Sequence, residues 1–189
     1  MAPSRTPLYD VHRRSGARLT EFAGWEMPVQ YDGILKEHAR VRSAVGLFDV
    51  SHMGEARVVG DDALDVVNRL ITNDLNRVQD GRALYTALCT DEGTIVDDLI
   101  VYRLSSREIF ICMNAGNAAS DFAYMESRAD GEAVWTDESA EWAQIAVQGP
   151  HAPELLGRVF GDEIATLRPF RIRSVDVEGS DAYLATTGY

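Results

Sequence analysis

Three apolar segments joined by two short polar turns constrain the fold of this chain more than any other feature. The segments are 84–89, 95–104 and 109–113. Their β-branched and aliphatic residues are typical of β-strands. The turns Thr90-Asp91-Glu92-Gly93 and Ser105-Ser106-Arg107-Glu108 connect consecutive segments, which predicts two successive hairpins. The sequence therefore predicts a three-stranded antiparallel meander.

Two adjacent carboxylates lie within the second of these segments. Asp97 and Asp98 stand between Ile95-Val96 and Leu99-Ile100-Val101. Strand side chains alternate between faces, so the two carboxylates point in opposite directions. One can reach solvent or a turn, whereas the other faces the apolar side, where an ionised group is costly unless a ligand or a hydrogen-bond donor meets it. The pair predicts a functional site on this strand.

The rest of the chain mixes helix and strand patterns. A helix is predicted over 32–42, where apolar residues recur at helical spacing on one face. Further elements are predicted as a helix over 118–128 and as strands over 56–59, 134–135 and 144–147.

Two distant parts of the chain share a similar sequence pattern. Residues 58–70 and 147–159 both run from a strand through a glycine turn into an amphipathic helix. Two interpretations remain open: an internal duplication whose halves share one sheet, or convergence, because many strand-turn-helix units have such a pattern. The predicted fold class is α+β, with antiparallel or mixed sheets, flanking helices and pseudo-duplicated strand-helix halves.

Length and composition are those of an ordinary globular chain. The 189 residues are 46% hydrophobic and 25% charged, which suits one large domain or one and a half. No apolar run approaches the roughly 18 residues needed to cross a bilayer. The N-terminal segment lacks the apolar core of a secretory signal. We therefore predict a cytoplasmic protein with no membrane partner.

Charge and spacing argue against several other partners. The net charge of −12 disfavours nucleic acid, whose phosphates require basic patches. Cys89 and Cys112 lack the spacing of a metal or redox site, which favours two buried reduced thiols over a disulfide. The histidines lack metal-ligand spacing, and the sequence carries no glycine-rich nucleotide fingerprint. We predict no metal and no bound flavin.

Ser51, His52 and Asp49 lie close together in sequence and suggest a hydrolytic triad at first sight. Neighbours along a strand face alternate sides, however, and a triad requires convergence in three dimensions. The sequence also lacks a Gly-x-Ser-x-Gly element. A structural His52 is therefore favoured, while Met53, which faces the other way, is a candidate pocket wall.

Short motifs spread over almost the whole chain occur in a characteristic order. They are Thr6–Tyr9, Phe22–Tyr31, Gly46–Glu55, Thr72–Asp74, Ala83–Tyr85, the Asp97-Asp98 strand, Ala146–Pro150 and Thr186–Tyr189. Each motif is weak alone, but the ordered set is highly specific. On these motifs the chain resembles aminomethyltransferase, the T protein of the glycine cleavage system.

The resemblance implies a folate-binding fold and a one-carbon transfer. In this family tetrahydrofolate is a substrate that accepts the one-carbon unit from an aminomethyl group on the dihydrolipoyl arm of the H protein, and ammonia is released. N5 of the folate is the nucleophile, so the protein mainly orients the reactants, excludes water from them and assists a proton transfer. The implied partner is the lipoyl-bearing H protein, and the reaction needs neither metal nor flavin.

The resemblance also assigns site residues. Asp98 is implied to lie beside the folate ring and to act in transfer. The alternative role for Asp98 is a salt bridge or a bulge cap. Asp97 is implied to be structural. Tyr85 and Tyr102 are implied pocket walls, although core filling is the usual role of a strand tyrosine. Asn114 either offers its amide to the pterin edge or caps the following turn. The implied folate-binding set is completed by Met53 and Tyr189.

Two other classes remain open. A folate-binding accessory protein of the iron–sulfur maintenance type would share the fold, but its cysteine motif lies beyond this region. The folate domain of a demethylating flavoenzyme would call for a flavin fingerprint, which the sequence lacks. The resembled family continues past Tyr189 with acidic and arginine-bearing segments. We therefore expect residues 1–189 to be a folate-binding unit truncated at its C-terminus. The sequence does not fix domain boundaries within it, and we expect little activity from it alone.

Overall fold

The computed structural model describes residues 2–187. Its α-helices are α1 (Tyr9–Arg14), α2 (Ile34–Ser43), α3 (Ala63–Leu70), α4 (Ala118–Arg128), α5 (Ala152–Phe160) and α6 (Asp162–Ala165). Its strands are β1 (Arg18–Phe22), β2 (Trp25–Gln30), β3 (Gly46–Asp49), β4 (Gly54–Val59), β5 (Arg82–Cys89), β6 (Ile95–Ser105), β7 (Glu108–Met113), β8 (Val134–Asp137), β9 (Ile145–Gln148), β10 (Ile172–Val177) and β11 (Ser180–Ala185). Antiparallel sheets with flanking helices confirm the predicted α+β class.

The chain forms two compact units, each built from two separated stretches. The first comprises the chain up to His52 together with Trp142–Leu167. It holds the two-stranded sheets β1-β2 and β3-β9 and the helices α1, α2, α5 and α6. The second comprises Met53–Glu141 together with the chain from Arg168. It holds the five-stranded sheet β5-β6-β7-β4-β8 and the hairpin β10-β11.

The strands β5, β6 and β7 form the predicted antiparallel meander. Tyr85 pairs with Ile100, and Ile100 pairs in turn with Cys112. The first hairpin turns at Gly93, whose φ of +82° lies in the left-handed region. A side chain at this position would strain the turn, which explains the glycine.

One face of the five-stranded sheet packs against α3 and α4 and forms the core of the second unit. Leu99 and Val101 of β6 are buried on this face. They meet Val67 from α3 and Met125 from α4. Because Asp97 belongs to the same alternating set as Leu99 and Val101, it lies on the core side of the sheet.

The opposite face presents a row of side chains from four adjacent strands. Tyr85, Ile100, Cys112 and Glu55 follow one another in register across β5, β6, β7 and β4. Exposure is 56% at Tyr85 and only 3% at Glu55, at the two ends of the row. Asp98 lies two residues before Ile100 and shares this face. The two aspartates therefore point in opposite directions, as alternation predicts.

A buried hydrogen-bond network ties the N-terminal segment of the first unit to β3. The solvent-shielded carboxylate of Asp49 accepts from Thr6 Oγ1 at 2.6 Å and lies 2.7 Å from Nε2 of His12. The other ring nitrogen of His12 lies 2.7 Å from the hydroxyl of Tyr31. Burial acts to raise the pKa of Asp49, but hydrogen bonds from His12, Thr6 and Ser51 hold it below its ordinary value. The network therefore stabilises the ionised carboxylate.

Replacing Asp49 by Asn is expected to destabilise the protein by about 2 kcal/mol or more, because hydrogen bonds to a buried charged acceptor are lost. The lowered pKa means that this contribution is present above the ordinary carboxyl pKa and is lost as the pH falls through the folded value. Chemical denaturation at neutral and acidic pH measures both effects. Asp10→Asn, at an exposed position of α1, is the matched control. Equal losses in the two variants would contradict a special role for the network.

The two similar segments, 58–70 and 147–159, do not place their strands in one sheet. Each copy forms the predicted strand, turn and helix, as β4 with α3 and as β9 with α5. However, β4 lies between β7 and β8, whereas β9 pairs with β3. The prediction of halves within one sheet is therefore wrong. A strand-turn-helix pattern is encoded locally, but the choice of strand partner depends on distant segments that local repetition does not specify.

Candidate functional site

Asp98 lies on β6 with an exposed side chain that is oriented by a neighbouring phenol. The hydroxyl of Tyr85 donates to Oδ2 of Asp98 at 2.9 Å. Tyr85 pairs with Ile100, so Asp98 is its diagonal neighbour, within reach of an aromatic side chain. This hydrogen bond, together with the charge of Asp98, raises the pKa of Tyr85. The phenol therefore stays protonated at neutral pH and continues to donate.

Asp97 points to the other side of β6 and is enclosed by donors. Its Oδ1 accepts from the backbone N–H of Asp98 at 2.8 Å and from Nδ2 of Asn114 at 3.0 Å. Its Oδ2 accepts from Nδ2 of Asn117 at 3.1 Å. Burial acts to raise the pKa of Asp97, but hydrogen bonds from Asp121, Asn114 and Asn117 bring it below its ordinary value. Asp97 is an ionised acceptor that joins β6 to α4, in agreement with the structural role expected for it.

Asn114 follows β7 and connects the two aspartates. Its Nδ2 group donates to the carboxylate of Asp97 and, at 3.1 Å, to the backbone carbonyl of Asp98. Its own backbone carbonyl accepts from the N–H of Asn117 in the turn before α4. The side chain thus bonds to β6, and the backbone carbonyl closes the turn. Contact of Asn114 with a pterin edge stays a prediction.

Asp121 on α4 is a residue that sequence reasoning missed. It is only 1% exposed, and its Oδ2 has no hydrogen-bond partner among residues 2–187. Burial, followed by the hydrogen bond and charge of Asp97, raises the pKa of Asp121 to about 7. A sequence signal was available. Asp121 lies one helical turn before Met125, on the face of the predicted helix that packs on the core.

Glu55 on β4 was also missed. Its side chain is buried, and its Oε2 has no hydrogen-bond partner within the described part of the chain. Burial, followed by the charge of Asp137, raises the pKa of Glu55 to about 8. The carboxyl group is therefore mostly neutral at pH 7. Strand alternation places it on the same face as Tyr85, which was the signal that could have found it.

Tyr102, a predicted pocket wall, is only 4% exposed. Its ring lies 6.1 Å from that of Phe110, between centroids, in a tilted arrangement. Burial is the main cause that raises the pKa of Tyr102 to about 12, and the charges of Cys112 and Glu55 add to it. These contacts agree with core filling among the described residues. A contact between Tyr102 and a bound ring stays a prediction.

The remaining residues singled out from the sequence are Met53, Tyr189 and the two cysteines. Met53 is half-buried and directly precedes β4. Tyr189 lies outside the described residues. Among the cysteines, Cys112 is buried as expected, whereas Cys89 is half-buried, and both are reduced thiols outside any disulfide.

His52 makes contacts that fit a structural role. Its ring packs edge-on against Phe22, with centroids 5.7 Å apart. The hydroxyl of Ser51 accepts from the backbone N–H of Gln144 at 2.9 Å, while Asp49 is engaged by other donors. The three neighbours thus have separate partners rather than the relay that a triad requires.

From residue 2 to residue 187, no group of three or more His, Cys, Asp or Glu side chains is arranged to hold a metal ion. Within that range every helix is too short or too polar to cross a bilayer.

The cluster around Asp98 offers a specific chemistry. The carboxylate is accessible to a ligand, while the hydroxyl of Tyr85 fixes its direction. Such a group can accept hydrogen bonds from the N–H groups of a nitrogen-rich ring or take up a proton. The neighbouring amide of Asn114 holds the same strand segment in place.

A family model described as the GCVT N-terminal domain matches residues 8–189. The chain belongs to this family. It is 49% identical over 186 residues to an aminomethyltransferase of Bdellovibrio bacteriovorus, covering 98% of this chain and 51% of that protein. An aminomethyltransferase of Bacillus subtilis is 42% identical over the same shares.

A solved structure supports the same assignment. The crystal structure of glycine cleavage system aminomethyltransferase T from Bartonella henselae matches with a TM-score of 0.78 and 38% identity. The match covers 82% of this GCVT N-terminal domain chain and 43% of the Bartonella chain. The chain therefore spans about half the length of the relatives it matches.

Proposed function

We propose that the chain is the folate-binding part of an aminomethyltransferase of the glycine cleavage system. The observation that carries this proposal is the exposed carboxylate of Asp98, oriented by Tyr85, on the strand of a chain that belongs to the GCVT N-terminal domain family. Tetrahydrofolate is the substrate, and the lipoyl-bearing H protein is the partner that delivers the aminomethyl group. The protein acts in the cytoplasm.

The transfer exchanges bonds at a single carbon. The aminomethyl carbon loses its bonds to sulfur and to the amine nitrogen and gains bonds to N5 and N10 of the folate. The two N–H protons leave with the sulfur and the amine, which gives a dihydrolipoyl thiol and ammonia. No oxidant or reductant is consumed.

The residues of the chain position the folate and exclude water from it, and none of them acts as the nucleophile. Asp98 accepts from the N–H groups of the pterin ring and eases proton movement, and Tyr85 keeps the carboxylate aligned. Met53, Tyr102 and Asn114 line the ring site, and Tyr189 belongs to the same set. Orientation of this kind lowers the barrier because the nucleophile comes from the substrate itself.

In a full-length context, formation of methylenetetrahydrofolate from tetrahydrofolate and aminomethyl-loaded H protein tests the proposal. Calorimetric titration of the protein with tetrahydrofolate is the companion measurement. Folate binding without turnover in the presence of loaded H protein would favour a folate-binding accessory protein. Absence of both binding and turnover would contradict the proposal altogether.

A further inference from the structure

Asp97 is the meeting point of three segments of the second unit. It accepts from the backbone N–H of Asp98 on β6 and from the amide of Asn114 after β7. On the side of α4 it meets the amide of Asn117 and the carboxyl group of Asp121. One carboxylate therefore sets the relative positions of two proposed site residues and the first turn of a helix.

A hydrogen bond between two carboxyl groups requires that one of them carry a proton. Asp97 already accepts from three N–H donors, an environment that favours its charged form. Asp121 is 1% exposed and receives no comparable set of donors among the described residues, since its Oδ2 has no partner there. The charge therefore rests on Asp97 and the proton on Asp121.

We propose that Asp121 is a positioning residue, whose protonated carboxyl group donates to Asp97 and thereby holds Asp98 and Asn114 in place for the substrate. The proposal rests on the proposed function, because tetrahydrofolate is the ligand for which the two residues are held.

The charged surroundings of Asp121 make this arrangement sensitive to pH. Asp97 on β6 faces it, and the charge of Asp98 acts on it from the opposite face of the strand. Arg128 lies at the far end of α4, where it bonds Asp91 at 2.8 Å. The neighbouring strand β4 carries Glu55 on the opposite sheet face. Because the pKa of Asp121 is raised to about 7, ionisation near neutrality places two adjacent negative charges in the junction and opens it.

Carbon-detected NMR of the side-chain carboxyl groups tests the proton directly. One aspartate is expected to titrate with a midpoint near 7, and its signal should vanish in Asp121→Asn. The side-chain amide of Asn114 and the backbone amide of Asp98 should shift with the same midpoint. Asp121→Asn still offers an N–H donor to Asp97. In this variant the two reporter signals, the Asn114 side-chain amide and the Asp98 backbone amide, should keep their low-pH positions at every pH.

Asp65→Asn supplies the matched control, since Asp65 is an exposed residue in the first turn of α3. It should titrate like the unmodified protein. The proposal is overturned if no aspartate titrates near neutrality. It is also overturned if the Asn114 and Asp98 reporters stay still across that range, or move equally in Asp121→Asn.

The affinity for tetrahydrofolate gives an independent functional readout. It is expected to fall about tenfold between pH 6 and pH 8.5, a change comparable with the loss of one hydrogen bond. In Asp121→Asn the affinity should be nearly constant over this range. A parallel fall in both proteins would contradict the positioning role. If no variant binds tetrahydrofolate at any pH, the proposed function fails, while the NMR titration still decides whether Asp121 holds the junction.

Discussion

In a full-length context, Asp98→Asn is expected to lower the rate of methylenetetrahydrofolate formation about 100-fold or more, the usual size of a lost acid–base contribution. The substitution keeps the shape of the side chain and removes its charge. Tyr85 then donates to a weaker acceptor, and the N–H groups of the pterin ring lose a charged partner. Steady-state kinetics with aminomethyl-loaded H protein should show the loss mainly in kcat.

Asp97→Asn is the matched control on the neighbouring position. It is expected to reduce turnover much less, because its side chain faces α4 rather than the substrate side. Its main cost should appear in stability, since an amide nitrogen would meet the donors of Asn114 and Asn117. Equal effects of the two substitutions on turnover, at matched folding, would show that strand alternation assigns the wrong aspartate.

Glu55→Gln is expected to stabilise the protein at pH 8, although it removes a charge-bearing group. Glu55 keeps its proton to about pH 8 in the folded state, whereas an unfolded glutamate loses it near pH 4.5. Across that window the folded protein binds more protons than the unfolded chain, so stability falls as pH rises. The slope from this one group is at most about 1.4 kcal/mol per pH unit. Urea denaturation at several pH values measures it.

The glutamine variant should lack this slope while matching the unmodified protein near pH 4.5, where both side chains are neutral in the folded state. Glu21→Gln, at an exposed position on β1, should leave the slope intact. A loss of stability in Glu55→Gln that is constant with pH would instead mean that Glu55 is ionised and paired.

The meander was predictable because its signals are local. The predicted segments 84–89, 95–104 and 109–113 differ from β5, β6 and β7 by no more than two residues at any end. The helix predicted over 118–128 coincides with α4. Alternation and polar turns act over a few residues, so they can be seen without knowledge of the rest of the chain.

Two hairpins escaped prediction because their turns carry unusual residues. The turn of β1-β2 has Ala23 and Gly24 at φ values of 51° and 81°, and that of β10-β11 has Glu178 and Gly179 at 54° and 85°. Such turns are normally recognised in a sequence by Asn-Gly or Asp-Gly, because alanine and glutamate rarely adopt positive φ. Pro28 inside β2 also argues against a strand.

The candidate site was only half visible in the sequence. Alternation alone separates Asp97 from Asp98, and the structure agrees. The burial of Asp121 depends on how α4 docks on the sheet, and that of Glu55 depends on which strands flank β4. Both arise from packing between distant segments, which periodicity cannot reveal.

The pairing of β3 with β9 has a consequence for synthesis. Gly46 pairs with Gln148, which is about 100 residues away and the largest separation among the paired strands of the described chain. Closing so long a loop is slow, because the entropy must be lost before any contact compensates for it. On a ribosome, β3 therefore emerges early and waits as an unpaired edge until β9 has been made. This strand is where a translational pause or a chaperone would matter most.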